Sequence, residues 1–236
     1  MRRTLAVGGV LIALAASGAA CGSGSTSSSG RTTAPTTVPP PPPSTTGSPV
    51  TPTTVPTPPV AVWPWSTGTT RYATPEGAAR GFATDFLHMV APVVGGFRQG
   101  DTRSGEVPVR PTTTGPETTV LVRQLGPDDS WWVLGAATAA IDLTAPTWNA
   151  AISSPVTLTG TSVAFEGTVR TQVRQDGMTT PLGEGFVTGG STSMGPFRGT
   201  LAFSRPSAAY GAVVLTIISA ENGAVSAASV VRVRFG

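Results

Sequence analysis

The fold of this chain is decided by a stretch that reads VAFEGTVRTQVR, at residues 163–174. Two sets of alternate positions along it differ in polarity, with Val163, Phe165, Val169 and Val173 in the apolar set and Glu166, Arg170, Gln172 and Arg174 in the polar set. A period of two is typical of a β-strand that has one buried and one solvated face. The stretch therefore predicts a half-buried antiparallel strand.

The sequence on both sides of this strand predicts further short strands. The predicted strands include residues 155–160, 197–203, 212–219 and 231–235, and the turns between them include Asp176-Gly177 and Glu221-Asn222-Gly223. About seven short strands separated by turns are typical of an immunoglobulin-like β-sandwich. We therefore predict such a sandwich over residues 147–236. The glycine-rich stretch 183–191 lacks the Lys of a phosphate-binding loop, and we interpret it as a flexible loop of the sandwich.

Four segments carry a resemblance to a known family: SPVTLTG at 154–160, VAFEGTV at 163–169, GPFRGTLAF at 195–203 and AENG at 220–223. They resemble the Gmad2 immunoglobulin-like domain, first described beside modules of bacterial spore germination. The resemblance implies an extracytoplasmic accessory or interaction domain. Its motifs are strand and turn signatures, and they mark no catalytic residue.

Residues 63–146 predict a small α+β domain ahead of the sandwich. Thr74-Pro75-Glu76 is a helix start, because Thr caps, Pro fits the first helical position and Glu complements the helix dipole. The apolar stripe predicts a helix from Thr74 to Val90. Alternating apolar positions after it predict strands around Val107, Val120 and Trp132. Because neighbouring strand residues face opposite sides, we expect one of Trp131 and Trp132 in the core and the other exposed or at the domain junction.

The N-terminus predicts export. Arg2 and Arg3 precede an apolar stretch that ends in Gly18-Ala19-Ala20 before Cys21, the single cysteine of the chain. This pattern is typical of a signal peptide over residues 1–20, and it resembles the lipobox of bacterial lipoproteins. The resemblance implies a diacylglyceryl thioether on Cys21 and a lipid anchor in the cell membrane. Gly18 stands where that family usually has Leu, so ordinary cleavage and a secreted product remain the alternative.

Residues 21–62 predict a disordered tether. Ser, Thr, Gly and Pro dominate this segment, which includes the run Pro39 to Pro43. Such a composition lacks the apolar surface that a core requires. Its proline-rich half favours polyproline II, which would extend on the order of 100 Å from a membrane. We therefore expect an extracytoplasmic protein that projects its folded part from the membrane.

Charge and composition exclude several classes of function. The formal net charge is +3, and two of the arginines lie in the predicted signal peptide, so nucleic acid is not an expected partner. One cysteine and one histidine are too few for a cysteine and histidine metal centre. We expect no metal and no cofactor.

No catalytic motif stands out. Asp85 and His88 would share a helix face, yet no nucleophile elbow accompanies them. The favoured hypothesis is a binding or scaffolding lipoprotein that engages an envelope protein or a cell-wall glycan and is not an enzyme. The alternatives are an envelope polymer hydrolase that uses Asp85, His88 or Glu106, a sporulation or germination accessory protein, and a passive spacer.

Overall fold

The computed structural model describes residues 60–65 and 69–236. These residues belong to a compact unit that spans Val50–Gly236. The predicted signal peptide, Cys21 and residues 22–59 of the predicted tether lie outside the described residues. Ala61 and Val62, at the predicted end of the tether, are buried. In the part of the chain that the structure describes, no helix has both the length and the apolar character needed to cross a membrane.

The described residues form one short helical segment and many strands. The helical segment consists of α1 (Pro75–Gly81) and the π-helix Phe82–Phe86, and a 3-10 turn covers Phe165–Gly167. The strands are β1 (Val93–Val94), β2 (Arg98–Gln99), β3 (Ser104–Arg110), β4 (Thr118–Leu125), β5 (Ser130–Thr138), β6 (Ile141–Ala145), β7 (Ala150–Ile152), β8 (Val156–Ser162), β9 (Thr168–Gln175), β10 (Gly183–Thr188), β11 (Gly195–Leu201), β12 (Tyr210–Ile218) and β13 (Val225–Phe235).

Hydrogen bonds join the strands into one sheet. Its main path runs β1-β3-β4-β5-β13-β12-β9-β10. A second layer leaves this path through β5: β6 pairs with β5 and with β8, and β8 pairs with β11. This second layer faces β13, β12, β9 and β10 and makes a sandwich with them. The mainly β fold class and its C-terminal sandwich, predicted from the alternation of residues, are confirmed.

Two clusters of buried side chains lie on opposite faces of the main path. The sandwich core, between the two layers, contains Ile141, Ile152, Val156, Leu158, Ala164, Val169, Val173, Val187, Phe197, Leu201, Val213, Leu215 and Val233. The helix-side core lies against the other face and contains Val62, Trp63, Ala78, Ala79, Phe82, Ala83, Phe86, Leu87, Met89, Val107, Val109, Val120, Val122, Trp131, Val133, Ala136, Ala212, Val214, Ala228 and Val230.

Strand β12 contributes to both cores. Val213 and Leu215 point into the sandwich core, whereas Ala212 and Val214 point into the helix-side core. Burial on both faces explains why this strand is a nearly continuous apolar run rather than an alternating one. The predicted domain boundary at 146–147 stays a prediction, and the structure adds that the regions on either side of it share a sheet and the helix-side core.

The helix begins as predicted and ends earlier than predicted. Thr74 Oγ1 accepts a hydrogen bond from the Gly77 amide at 3.1 Å and caps the first turn. The prediction that the helix continues to Val90 is wrong, because the π-helix ends at Phe86 and His88 has a φ of 60°. Val90, which the prediction placed in the apolar stripe, is 72% exposed.

The prediction of one continuous strand over residues 163–174 is also wrong. The 3-10 turn Phe165–Gly167 interrupts it, with φ values of 53° at Glu166 and 68° at Gly167. Glycine fits its position because a Cβ there would lie 2.7 Å from the Gly189 carbonyl oxygen. The turn reverses the expected orientation of Phe165, whose side chain is exposed.

The polar face predicted for this strand is solvated only at its start. Arg170 is exposed, whereas Gln172 and Arg174 on the same face of β9 are buried. The reason is that the helical segment covers this end of the strand: the Arg174 guanidinium lies 4.9 Å from the centroid of the Phe86 ring. A period of two locates a strand, but it does not reveal a neighbour that covers the polar face.

We predicted one of the adjacent tryptophans in the core and the other exposed or at the domain junction, and the structure shows that neither of them is exposed. Trp131 is 8% exposed within the helix-side core, and Trp132 is 1% exposed. Trp63 and the segment Arg71–Tyr72 both lie beside β5, where the amides of Trp131 and Val133 donate to the Tyr72 and Trp63 carbonyl oxygens. Arg71 from this segment lies over the Trp132 ring at 5.1 Å and covers it.

Candidate binding surface

The first wall of the candidate site is the 3-10 turn that precedes β9. Glu166 adopts a left-handed backbone conformation that non-glycine residues seldom take, and such conformations cluster at functional sites. The turn is held in place because the Gly189 amide donates to the Gly167 carbonyl oxygen at 2.8 Å. It presents Phe165, 65% exposed, and Glu166 to the outside.

The second wall is β10, at the end of the main path of the sheet. Its outward side chains are Glu184, Phe186 and Thr188, and each is exposed. Phe186 pairs directly with Arg170 of β9 and is 73% exposed. The side chains on this face of β10 therefore stand beside the exposed start of β9.

Between the walls lies an open groove of about 590 Å³, which we call the Phe165–Phe186 groove. Its lining combines the aromatic pair with charged and small side chains, and it consists of Phe165, Glu166, Thr168, Arg170, Glu184, Gly185, Phe186, Ile218, Ser219 and Ala220. Among the described residues, no ion pair includes the three charged members of this lining.

The groove and the helical segment occupy the same face of β9. Thr168 and Arg170 line the groove, whereas Gln172 and Arg174, two and four residues beyond Arg170, are buried beside the helical segment. The groove is thus the part of the sheet face that the helical segment leaves uncovered.

A buried arginine connects the covered part of this face to the groove. Arg174 is 6% exposed, and it donates to the Phe86 carbonyl oxygen through Nη1. Its Nε and Nη2 atoms donate to Gln172 Oε1 at 2.9 and 2.6 Å. The Gln172 Nε2 atom then donates to Glu184 Oε2 at 3.2 Å. Because Gln172 Oε1 accepts hydrogen bonds from the Arg174 guanidinium, the side-chain amide of Gln172 directs its Nε2 atom toward Glu184.

The electrostatic setting of Arg174 is unusual. No carboxylate lies within ion-pair distance of it among the described residues. Burial lowers the pKa of the Arg174 guanidinium below its ordinary value, although an arginine remains protonated at neutral pH. Its charge lies at the C-terminal end of the helical segment, where a cation is favourable.

The residues of the hydrolase hypothesis do not form a site together. Asp85 and His88 are exposed, and the helix ends between them. The Asp85 carboxylate accepts the Thr84 hydroxyl at 2.9 Å, and Glu106 lies exposed on β3. Within residues 60–65 and 69–236, no hydrogen bond or ion pair joins these three side chains. In that same part of the chain, no three His, Cys, Asp or Glu side chains are grouped to hold a metal ion.

The sequence interpretation missed both walls of the groove. The stretch assigned to a flexible loop forms β10, since Glu184, Phe186 and Thr188 alternate with Gly183, Gly185 and Val187. That alternation was the available signal, and the glycines obscured it. Phe165 was expected in the core because the break at Glu166 is not visible in the pattern.

Comparison of this chain with known proteins and protein families gives one match. Residues 140–224 match the family Gmad2, described as an immunoglobulin-like domain of bacterial spore germination. The match begins beside β6, ends before β13 and includes every residue that lines the Phe165–Phe186 groove. No curated protein and no solved structure matches the chain.

Proposed function

Residues 140–224 form a Gmad2-type immunoglobulin-like domain, and we propose that this domain is the binding module of a lipoprotein displayed outside the cytoplasm. The module binds a protein of the cell envelope through the Phe165–Phe186 groove. Cys21 carries the lipid that holds the chain at the membrane, and residues 22–59 place the folded part at a distance from it. The family description, which concerns spore germination, supports an accessory role rather than a catalytic one.

The observation that carries this proposal is the exposure of two phenylalanines on facing walls of one groove. Phe165 and Phe186 leave 65% and 73% of their surface in water. Exposing two large apolar side chains in one groove opposes the hydrophobic effect, and such patches mark interaction sites. Protein interfaces are enriched in aromatic residues and arginine, and the groove combines both phenylalanines with Arg170.

A protein partner fits this surface better than a cell-wall glycan does. The adjacent tryptophans Trp131 and Trp132, whose ring faces could stack on sugars if they were exposed, are buried. Unlike Tyr and Trp, phenylalanine has no polar group that could form a hydrogen bond with a hydrated ligand such as a glycan. The groove therefore favours apolar side chains of a partner protein.

The groove is tested by crosslinking in intact cells, followed by recovery of the tagged protein and mass spectrometry. We expect the double variant Phe165→Ala, Phe186→Ala to recover its envelope partner at least about tenfold less than the unmodified protein, because aromatic anchors dominate binding energy. Trp148→Ala is the matched control, since Trp148 is an aromatic that is 54% exposed outside the groove. Unchanged recovery with the double variant would contradict the proposed surface.

The anchor is tested by phase partitioning. We expect Cys21→Ala to move the protein from the detergent phase to the aqueous phase or the medium, because several acyl chains are needed for durable attachment. Ser28→Ala, a change of similar size in the tether, is the control and should leave partitioning unchanged. A Cys21→Ala protein that still enters the detergent phase would refute lipidation at this position.

A further inference from the structure

The charged residues of the groove define the chemistry of its partner. Each wall pairs one exposed phenylalanine with one carboxylate: Phe165 with Glu166, and Phe186 with Glu184. Arg170 on β9 is the one cation in the lining. The two carboxylates outnumber it, so the side chains that line the groove have a formal net negative charge, whereas the described residues as a whole contain twelve acidic and twelve arginine side chains.

Glu184 is the carboxylate that the fold holds in place. The Gln172 Nε2 atom donates to its Oε2 atom at 3.2 Å. Gln172 is itself fixed, because its own Oε1 atom receives two hydrogen bonds from the buried Arg174. The carboxylate is therefore oriented from behind by a buried network while it faces the groove. A binding group that is already oriented loses less conformational entropy when a partner arrives.

We propose that Glu184 is the specificity-determining residue of the groove, and that it binds a Lys or Arg side chain of a partner segment whose apolar residues contact Phe165 and Phe186. This inference rests on the proposed function of the same groove. Gln172 and Arg174 act as positioning residues, because they orient Glu184 and do not themselves reach the groove. Complementary charge selects the partner and its register, and the phenylalanines supply the apolar contact.

A random 12-residue peptide library displayed on phage is the probe. The purified full-length protein is used for selection, and clones are kept when the double variant Phe165→Ala, Phe186→Ala no longer binds them. We expect these groove-dependent peptides to be enriched at least about threefold in Lys and Arg next to apolar residues. Their binding should weaken about tenfold in Glu184→Gln and should weaken with added salt, as interactions between exposed charges do.

An exchange of charges between Glu184 and the basic residue of a selected peptide tests their contact most directly. A peptide in which the selected Lys is replaced by Glu should bind the Glu184→Arg protein better than it binds the unmodified protein. A structural role of Glu184 would not produce this rescue. Glu106→Gln is the matched control, since Glu106 is an exposed strand residue outside the groove, and it should leave affinity unchanged.

The possible outcomes distinguish a failure of the role assigned to Glu184 from a failure of the proposed binding function of the groove. Groove-dependent peptides that lack basic residues, or that bind Glu184→Gln unchanged, would overturn the role of Glu184 while the groove remains a binding surface. A selection that yields no peptide sensitive to Phe165→Ala and Phe186→Ala would overturn both.

Discussion

Replacing Asp176 by Ala lowers the free energy of unfolding by about 3 kcal/mol, because it removes the carboxylate that pairs with a buried arginine. Both oxygens of Asp176 receive the Arg232 guanidinium, at 2.5 and 2.7 Å. Arg232 is 1% exposed, and it lies over the Tyr210 ring at 5.1 Å. The variant leaves a desolvated cation without this counter-ion, which is far more costly than the loss of a surface pair.

Urea unfolding followed by circular dichroism measures this effect. The control is Arg103→Ala, which removes the exposed ion pair between Arg103 and Asp129, whose side chains are 44% and 62% exposed, and we expect that change to cost no more than about 1 kcal/mol. Equal losses for the two variants would mean that burial of Arg232 does not set the strength of its ion pair.

Replacing Arg174 by Ala costs about 3 kcal/mol through a different mechanism. The variant removes the donors that satisfy the Phe86 carbonyl oxygen and Gln172 Oε1, and each buried acceptor left without a partner is destabilising by about 1–3 kcal/mol. It also deletes the guanidinium that packs on the Phe86 ring. The helical segment should therefore loosen first.

Arg170→Ala is the matched control, because Arg170 lies on the same face of β9 and is exposed. We expect it to change stability by less than about 0.5 kcal/mol. Amide hydrogen exchange locates the loss: protection should fall in Pro75–Phe86 in the Arg174 variant and remain in β8 and β11. A loss confined to the sandwich core would contradict the role assigned to Arg174.

Local patterns in the sequence were sufficient to predict the fold class, but they were insufficient to predict the Phe165–Phe186 groove. Alternation identified the strand that contains Val169 and Val173, and the cap at Thr74 identified the start of the helix. Both signals act within a few residues, so a single sequence contains them.

Two of the wrong predictions concern residues that contact a part of the chain distant in sequence. Arg174 appeared solvated because nothing near it in sequence reveals that Phe86 lies above it. The early end of the helix has the same origin, since the carbonyl freed there is satisfied by a residue 88 positions away. Phe165 and Phe186 were missed for local reasons: a left-handed residue reverses the first, and two glycines obscure the strand that carries the second.

The burial of β12 on both of its faces has a consequence for the evolution of this domain. A gene fragment that encoded only the matched region would give a sheet whose helix-side residues, such as Ala212 and Val214, face water. Exchange of this domain between genes by recombination would therefore require its helical neighbour to travel with it, or new polar residues on that face.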